Sequence, residues 1–368
     1  MPPLNYAGKL VLAPMVRTGE LPTRLAALKY GADLVWSPEI VDKKILTCKR
    51  VVNEKIDCVD FVQVDKETSV AFRTHRTLEK GKVVFQLGTA NPELAVAAAL
   101  MVAPDVAGID VNSGCPKHFS VHSGMGAALL KTPDKLVSIL EALVRDVGKK
   151  HDIGISVKIR LLESQEDTVA LVRRLCTTGI AALTVHCRYV HTRPRERAIR
   201  DGYLTKIAEV CHESGVTCIA NGDVSCRGDL ATLQENYGVD SAMIAVSAES
   251  NVSCFSAYTK QDLVSWRQVA REILDNAIAV DNNISGTKFL LGRIISGKDR
   301  LYQQVAQSKS HLDILLAFNN ETEEPGSKVA TPQFEKKNLK RRISAVEGCE
   351  DVSLFEPVAT LQSSEMTV

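Results

Sequence analysis

The sequence predicts an α/β protein, a (β/α)8 TIM barrel followed by a small C-terminal helical domain, and three observations predict it. Short apolar, β-branched runs recur eight times with helical patterns between them. The runs are continuous rather than alternating, as in strands buried on both faces of a parallel sheet. The strand pattern then stops near residue 250, where helical patterns take over. In order, the strands fall at 10–13, 33–37, 83–87, 108–112, 155–159, 182–186, 217–221 and 242–246. Helices are predicted at 21–30, closed by Gly31, at 91–102, ending before Pro104, at 132–147, and at 167–178, capped by Gly179. The irregular stretch 41–80 predicts an insertion after the second strand. A doubly wound open sheet is the alternative, disfavoured because no Gly-x-Gly-x-x-Gly follows the first strand.

The domain division follows from these patterns. Residues 1–250 form the barrel, and 251–318 form the helical domain with helices at 266–280, 286–295 and 301–308. Residues 319–368, rich in Glu, Pro, Gly, Ser and Lys with few aromatics, are predicted to be a disordered basic tail.

Composition narrows the function classes. With 368 residues, 45% of them hydrophobic and 24% charged, the chain is ordinary for a globular protein with a sizeable core. The formal net charge is +1, so attraction to nucleic acid must come from a local patch. The 10 cysteines include no Cys-x-x-Cys pair and no Cys/His metal spacing, so neither a metal site nor a disulfide framework is expected. No stretch approaches the roughly 18 apolar residues of a membrane span. A cytoplasmic, reducing location is the expectation.

In a barrel of this kind the site lies where the strands end, so the polar residues closing each run are the candidates. They are Pro14, Met15 and Val16; Glu39; Gln86 and Gly88; Asn112 and Cys115; Lys158 and Arg160; His186 and Arg188; and Asn221 and Gly222. Taken singly, Gln86 is read as a satisfied buried amide and His186 as a core histidine. Converging at one mouth, these groups can hydrogen-bond a planar heterocycle with imide edges, as a flavin is. A lysine such as Lys158 beside the pyrimidine edge would stabilise the anionic reduced ring. A phosphate would be met by backbone N–H donors at Asn221-Gly222-Asp223 and at Ala245 to Ser250, with the Ser247 hydroxyl, after strands seven and eight. Cys115, between Gly114 and Pro116 in a loop over the mouth, suits a proton donor rather than a packing thiol.

The stretches Leu12-Ala13-Pro14-Met15-Val16, Val84-Phe85-Gln86-Leu87-Gly88, Asp110 to Lys117, Val157-Lys158-Ile159-Arg160, Val185-His186-Cys187-Arg188 and Ala220-Asn221-Gly222 carry a resemblance. Over residues 6–318 the chain resembles the eukaryotic tRNA-dihydrouridine synthases, of the fungal and animal type acting on uridine 20 of the D-loop. It resembles the form without the double-stranded-RNA-binding domain that animal relatives carry. The resemblance implies non-covalent FMN, NADPH or NADH as reductant, tRNA as substrate and Cys115 as proton donor. It also implies that Pro14, Met15, Val16, Gln86, Lys158, His186, Asn221, Gly222, Asp223, Ala245 and Val246 hold the flavin, with Asn112 orienting the uracil. The chain departs from the family in two places. Ala245-Val246 stands where the family commonly has an arginine after strand eight, and Gly222-Asp223 stands where it has a glycine pair. An acidic Asp223 near a phosphate implies that its carboxylate points away.

The target base must be turned out of its stack to reach a barrel mouth. Arg160, Arg188, Arg193, Arg195, Arg197 and Arg200, at or beyond the ends of strands five and six, are candidates to grip the RNA. Arg267, Lys288, Arg293, Lys298 and Arg300 of the helical domain are a second candidate wall, and Lys336 to Arg342 of the tail add electrostatic affinity or a nuclear address. Two readings remain open at this stage. One is a flavin barrel reducing a free pyrimidine, disfavoured by the arginine-rich loop and the helical domain. The other is a non-catalytic tRNA-binding chaperone, which bound flavin would exclude.

Overall fold

Eight of the apolar runs pair side by side, all parallel, and close on themselves. The computed structural model describes residues 4–66, 69–193 and 196–321. In chain order the strands are β1 (Leu10–Leu12), β2 (Leu34–Trp36), β3 (Ile40–Val41), β4 (Cys48–Asn53), β5 (Cys58–Gln63), β6 (Val70–His75), β7 (Val83–Gly88), β8 (Gly108–Ser113), β9 (Gly154–Leu161), β10 (Ala182–Tyr189), β11 (Thr217–Asn221) and β12 (Ser241–Ile244). The barrel order is β2-β1-β12-β11-β10-β9-β8-β7, and β2 closes it by pairing Val35 with Val83 and Trp36 with Val84. The second strand breaks at Ser37-Pro38-Glu39. It resumes as β3, whose Ile40 and Val41 pair with Leu87 and Gly88 at the upper end of β7. The predicted insertion is a separate antiparallel sheet, β4-β5-β6.

A period of two along each strand decides what faces the barrel interior. Val11, Trp36, Val84, Ala182, Ile219 and Met243 pack with Tyr6 into one apolar layer. Two residues further along stand Ala13, Gln86, Thr184, Asn221 and Ala245; on β9 the same alternation runs from Ser156 to Lys158 to Arg160. The barrel is therefore filled by hydrocarbon at its lower end and turns polar toward the C-terminal ends of the strands, which is where a site can form.

The last strand ends at Ile244, and Val246 opens a short helix, Val246–Ser250, instead of closing the strand. The predicted helix at 132–147 is an α-helix, Pro133–Leu143, continued by a π-turn at Val144–Gly148. The helices Leu204–Glu213 and Gly228–Tyr237 complete the alternation between the later strands. Beyond the barrel come Trp266–Ala279, Ile284–Ile294, Arg300–Gln307 and a further helix, His311–Glu321, that runs past residue 318. Trp266–Ala279 lies against the first barrel helix, Leu21–Lys29, through Asn276 Nδ2 donating to Pro22 O (3.2 Å) and Lys29 paired with Glu272. At the mouth, Arg293 pairs with Glu249 at 2.8 Å, and Thr18 donates to the same carboxylate at 3.0 Å. The helical region thus adjoins the loops after β1 and β12. No helix among the described residues is long and apolar enough to cross a membrane.

Candidate active site

A cavity of about 350 Å³ opens where the polar strand ends converge, and the sequence-predicted Pro14, Met15, Val16, Gln86, Asn112, Cys115, Lys158, Arg160, His186, Ala245 and Val246 all line it. Asp110, which the sequence reading did not single out as a site residue, explains much of the site's polarity. It is fully buried on β8, accepting from Gln86 Nε2 (2.8 Å) and from Ser156 Oγ (2.7 Å). Its signal was a carboxylate two residues before Asn112 in a run otherwise buried on both faces. Burial pushes its acid up to about 6, and Lys158 works against that shift. Burial also brings the Lys158 ammonium down to about 8, assisted by the neighbouring Arg160 and resisted by Asp110.

The Cys115 loop is held by backbone contacts. Asn112 Oδ1 accepts from the N–H groups of Gly114 (3.1 Å) and Cys115 (3.2 Å), Arg160 Nε donates to Gly114 O (2.9 Å), and Ala127 N donates to Cys115 O (2.9 Å). Gly126, with φ of +57°, permits that closure, because a Cβ there would lie 2.7 Å from Cys115 O. Cys115 is the half-exposed thiol of the nine described cysteines; the other eight are buried. Its partial burial raises the thiol above the ordinary cysteine range, with the Lys117 N–H opposing and the Glu39 charge adding to the rise. The sulfur therefore carries its proton at neutral pH, as an acid must.

Two strands round the barrel, on β10, Arg188 Nη1 donates to His186 Nε2 at 2.9 Å. A guanidinium cannot accept, so His186 is neutral with its proton on Nδ1. Burial, then the charges of Lys158, Arg160 and Arg188, drive the imidazolium down to about 2. Arg188 is 7% exposed and also donates to Glu196 O (2.8 Å) and pairs with Asp223. The other Asp223 oxygen accepts from Ala198 N at 2.6 Å, and Arg200 donates to Gly222 O (2.6 Å) and Asp223 O (2.9 Å). The loop after β10 is thereby folded onto the turn after β11. Arg188 and Arg200 spend their donors inside the chain, whereas Arg193 and Arg197 are exposed. Arg195 lies outside the described residues, as do Lys336 to Arg342. In the helical region, Arg293 is tied to Glu249, Arg267 to Asp299, and Lys288 to Ser308 O.

Asn221, Gly222 and Asp223 do not line the cavity but stand directly beside His186. Asn221 Nδ2 donates to Met243 O (2.8 Å), and Gly222 has φ of +109°, with a Cβ there reaching to 3.2 Å from both His186 Cδ2 and Ala198 Cβ. The N–H groups of Gly222, Asp223, Ala245 and Val246 have no acceptor among the described residues. Gly222→Ala is expected to cost about 1–3 kcal/mol, since it combines a strained φ with a tight contact; thermal unfolding of the variant checks it, and an unchanged midpoint would contradict the strain.

The profile of the family described as Dihydrouridine synthase (Dus) matches residues 11–345 of this chain. The chain is 52% identical over 338 residues to the tRNA-dihydrouridine(20) synthase [NAD(P)+] of Schizosaccharomyces pombe, covering 90% of this chain and 69% of that protein. It is 46% identical over 360 residues to the tRNA-dihydrouridine(20) synthase [NAD(P)+] of Saccharomyces cerevisiae, covering 95% and 93%. Against the tRNA-dihydrouridine(20a/20b) synthase [NAD(P)+] of the same yeast the identity is 31% over 257 residues, covering 70% and 63%.

Proposed function

The chain belongs to the dihydrouridine synthase family, and we propose that it reduces the C5=C6 bond of uridine 20 in the tRNA D-loop, with FMN as cofactor, NADPH or NADH as reductant and Cys115 as proton donor. The observation that carries this reading is the neutral, half-exposed Cys115 thiol, held by its backbone at the mouth that also presents Gln86, Lys158 and His186.

The donor set fits FMN. Gln86 spends its Nε2 on Asp110 and keeps its carbonyl oxygen, the acceptor that an imide N–H requires. Lys158 brings a cation to the same edge. His186, neutral, offers Nδ1–H to a ribityl oxygen or phosphate. The free N–H groups of Gly222, Asp223, Ala245 and Val246 are donors for the phosphate, and the Asp223 carboxylate is turned to Arg188 and Ala198 N. When bound, FMN supplies the hydride that it takes from the nicotinamide and that C6 of the uracil receives.

The chain's own part is acid catalysis and positioning. The Cys115 Sγ–H gives its proton to C5, and the thiolate left behind is reprotonated from solvent. Asn112 and Arg160 fix the loop so that the sulfur faces the cavity. The exposed Arg193 and Arg197, on the loop after β10, would neutralise phosphates of the entering RNA.

The test mixes the reduced holoprotein anaerobically with unmodified tRNA, following flavin reoxidation by absorbance and dihydrouridine by mass spectrometry. Reoxidation with one dihydrouridine at position 20 is expected, and none with a tRNA carrying cytidine there. A flavin-free protein that still bound tRNA would sink the reading.

Lys158 gives a pH dependence. Its charge is present below pH about 8 and is lost as pH rises through that value. The affinity of the apoprotein for FMN, measured by quenching of flavin fluorescence, is expected to fall between pH 7 and 9. Lys158→Met should bind roughly tenfold more weakly at neutral pH, about 1.4 kcal/mol, and without that pH dependence. Equal affinities would place the lysine away from the flavin.

A further inference from the structure

The loop after β1 stands between two cavities. Val16 and Thr18 line the one that holds Cys115, and Arg17 between them lines a second, of about 270 Å³, against the helical region. The turn is fixed on both sides of Arg17: Thr18 donates to Glu249 at 3.0 Å, and Gly19 N donates to Met15 O at 2.8 Å. Arg17 sits in this turn with φ of +67°, a left-handed conformation that favours glycine over a residue with a Cβ. An exposed arginine held against its backbone preference points to a use for the side chain. Its guanidinium lies over the Phe289 ring of the helix Ile284–Ile294, 3.9 Å from the centroid. The guanidinium N–H groups have no acceptor among the described residues. Lys288, next to Phe289, gives one N–H to Ser308 O and keeps two. Ile295 and the half-buried Tyr302 of the helix Arg300–Gln307 add to the pocket's apolar side.

We propose that this pocket is a second nucleotide subsite: it takes a nucleotide that flanks the target uridine, the base against Phe289 and Tyr302 and the phosphate on Arg17 and Lys288. The inference rests on the reading of the chain as an enzyme of tRNA, and it says where a neighbour of the reduced uridine is held. Three features select this occupant. The first is continuity: consecutive residues of one turn line the two cavities, so a strand that delivers its uracil to the first cavity brings the adjoining nucleotide to the second. The second is chemistry. Aromatic side chains stack on any base, whatever its sequence, and an arginine lying on a ring keeps its fork of N–H donors for a phosphate. The third is need, because turning the uridine out of its stack leaves the adjoining bases unstacked on one side. An aromatic pocket beside the mouth offsets that loss.

The test reads binding and needs no turnover, so it stands apart from the test of uridine reduction. Fluorescence anisotropy of end-labelled unmodified tRNA is followed with the flavin-bound protein at several salt concentrations. Arg17→Gly suits the local backbone, so its thermal midpoint is expected to stay close to the wild-type value. Its affinity for tRNA should fall, and its plot of log K against log salt should be shallower by about one unit of slope, the loss of one phosphate contact. A contact that only ties the helices to the barrel would show the reverse, a lowered midpoint with unchanged affinity, and would overturn the inference. Tyr302→Ala is expected to bind about five- to a hundredfold more weakly, the range for one stacked base, and Tyr302→Phe as the wild type does. Two further tRNAs, abasic at position 19 or at position 21, locate the base. At one of the two positions its removal should cost the wild type that factor more than it costs Tyr302→Ala. Equal costs to both proteins at both positions would overturn the inference and leave the reading of uridine reduction in place. A wild-type protein with no affinity for tRNA would overturn both.

Discussion

Cys115→Ala is expected to lower single-turnover uridine reduction by about 10²–10⁴-fold, the contribution usual for a positioned general acid, while FMN stays bound. The separation of the two effects follows from how the loop is built. Asn112 Oδ1 accepts from backbone N–H groups, Arg160 Nε donates to the Gly114 carbonyl, and Ala127 N donates to the Cys115 carbonyl. None of these contacts involves the sulfur, so alanine leaves the loop in place and removes only the proton. The flavin spectrum should be that of the wild-type protein, and reduction of the flavin by NADPH should proceed. Anaerobic mixing of the reduced variant with unmodified tRNA then isolates the second half of the reaction. Dihydrouridine forming at more than a tenth of the wild-type rate would mean that another group protonates C5, and Cys115 would be a loop residue only.

The barrel was legible because its strands are short, largely apolar runs with helical patterns between them, and the site was legible because strand ends in such a fold converge. Gln86, Asn112, Lys158 and His186 could be grouped from the sequence because they stand at the ends of the apolar runs. What the sequence could not convey is which charges compensate one another across the chain. Arg188 looked like an RNA contact among other arginines, yet its partner Asp223 lies 35 residues away and its hydrogen bond to His186 depends on the β10 alternation. Asp110 was hidden for the opposite reason: a single carboxylate inside an apolar run is invisible to hydrophobic periodicity, and its meaning emerges only when Gln86 and Ser156 from the flanking strands are seen to donate to it. The sequence places the second strand at 33–37, and its resumption at Ile40–Val41 stays hidden because two apolar residues are too short a run to stand out. His311–Glu321 escaped notice because its start is polar and its end merges with the Glu-rich composition that follows.

Glu79→Ala is expected to destabilise the protein by about 3–5 kcal/mol, the cost of leaving a buried charge without its partner. Arg24 is 1% exposed and Glu79 0%. Arg24 Nε donates to Glu79 Oε1 at 2.6 Å and Nη2 to Oε2 at 3.1 Å, and Glu79 Oε2 also accepts from Thr74 Oγ1 (2.8 Å) and His75 N (3.2 Å). Removing the carboxylate therefore strands a guanidinium, a hydroxyl and an N–H in a space that water does not reach. The damage should extend to the cavity. Arg24 Nη1 donates to Gly19 O (2.8 Å), and Gly19 N donates to Met15 O (2.8 Å), so the same arginine tethers the loop that carries Met15 and Val16 to the barrel wall. Urea unfolding should show the midpoint falling with the slope unchanged, and the folded variant should bind FMN more weakly. The double variant Arg24→Met, Glu79→Leu is expected to be less destabilised than Glu79→Ala, because it removes both charges and returns hydrocarbon to the space. If the single variant lost less than about 1 kcal/mol, water or another carboxylate would have to reach Arg24, and the tether to the Met15 loop would owe nothing to Glu79.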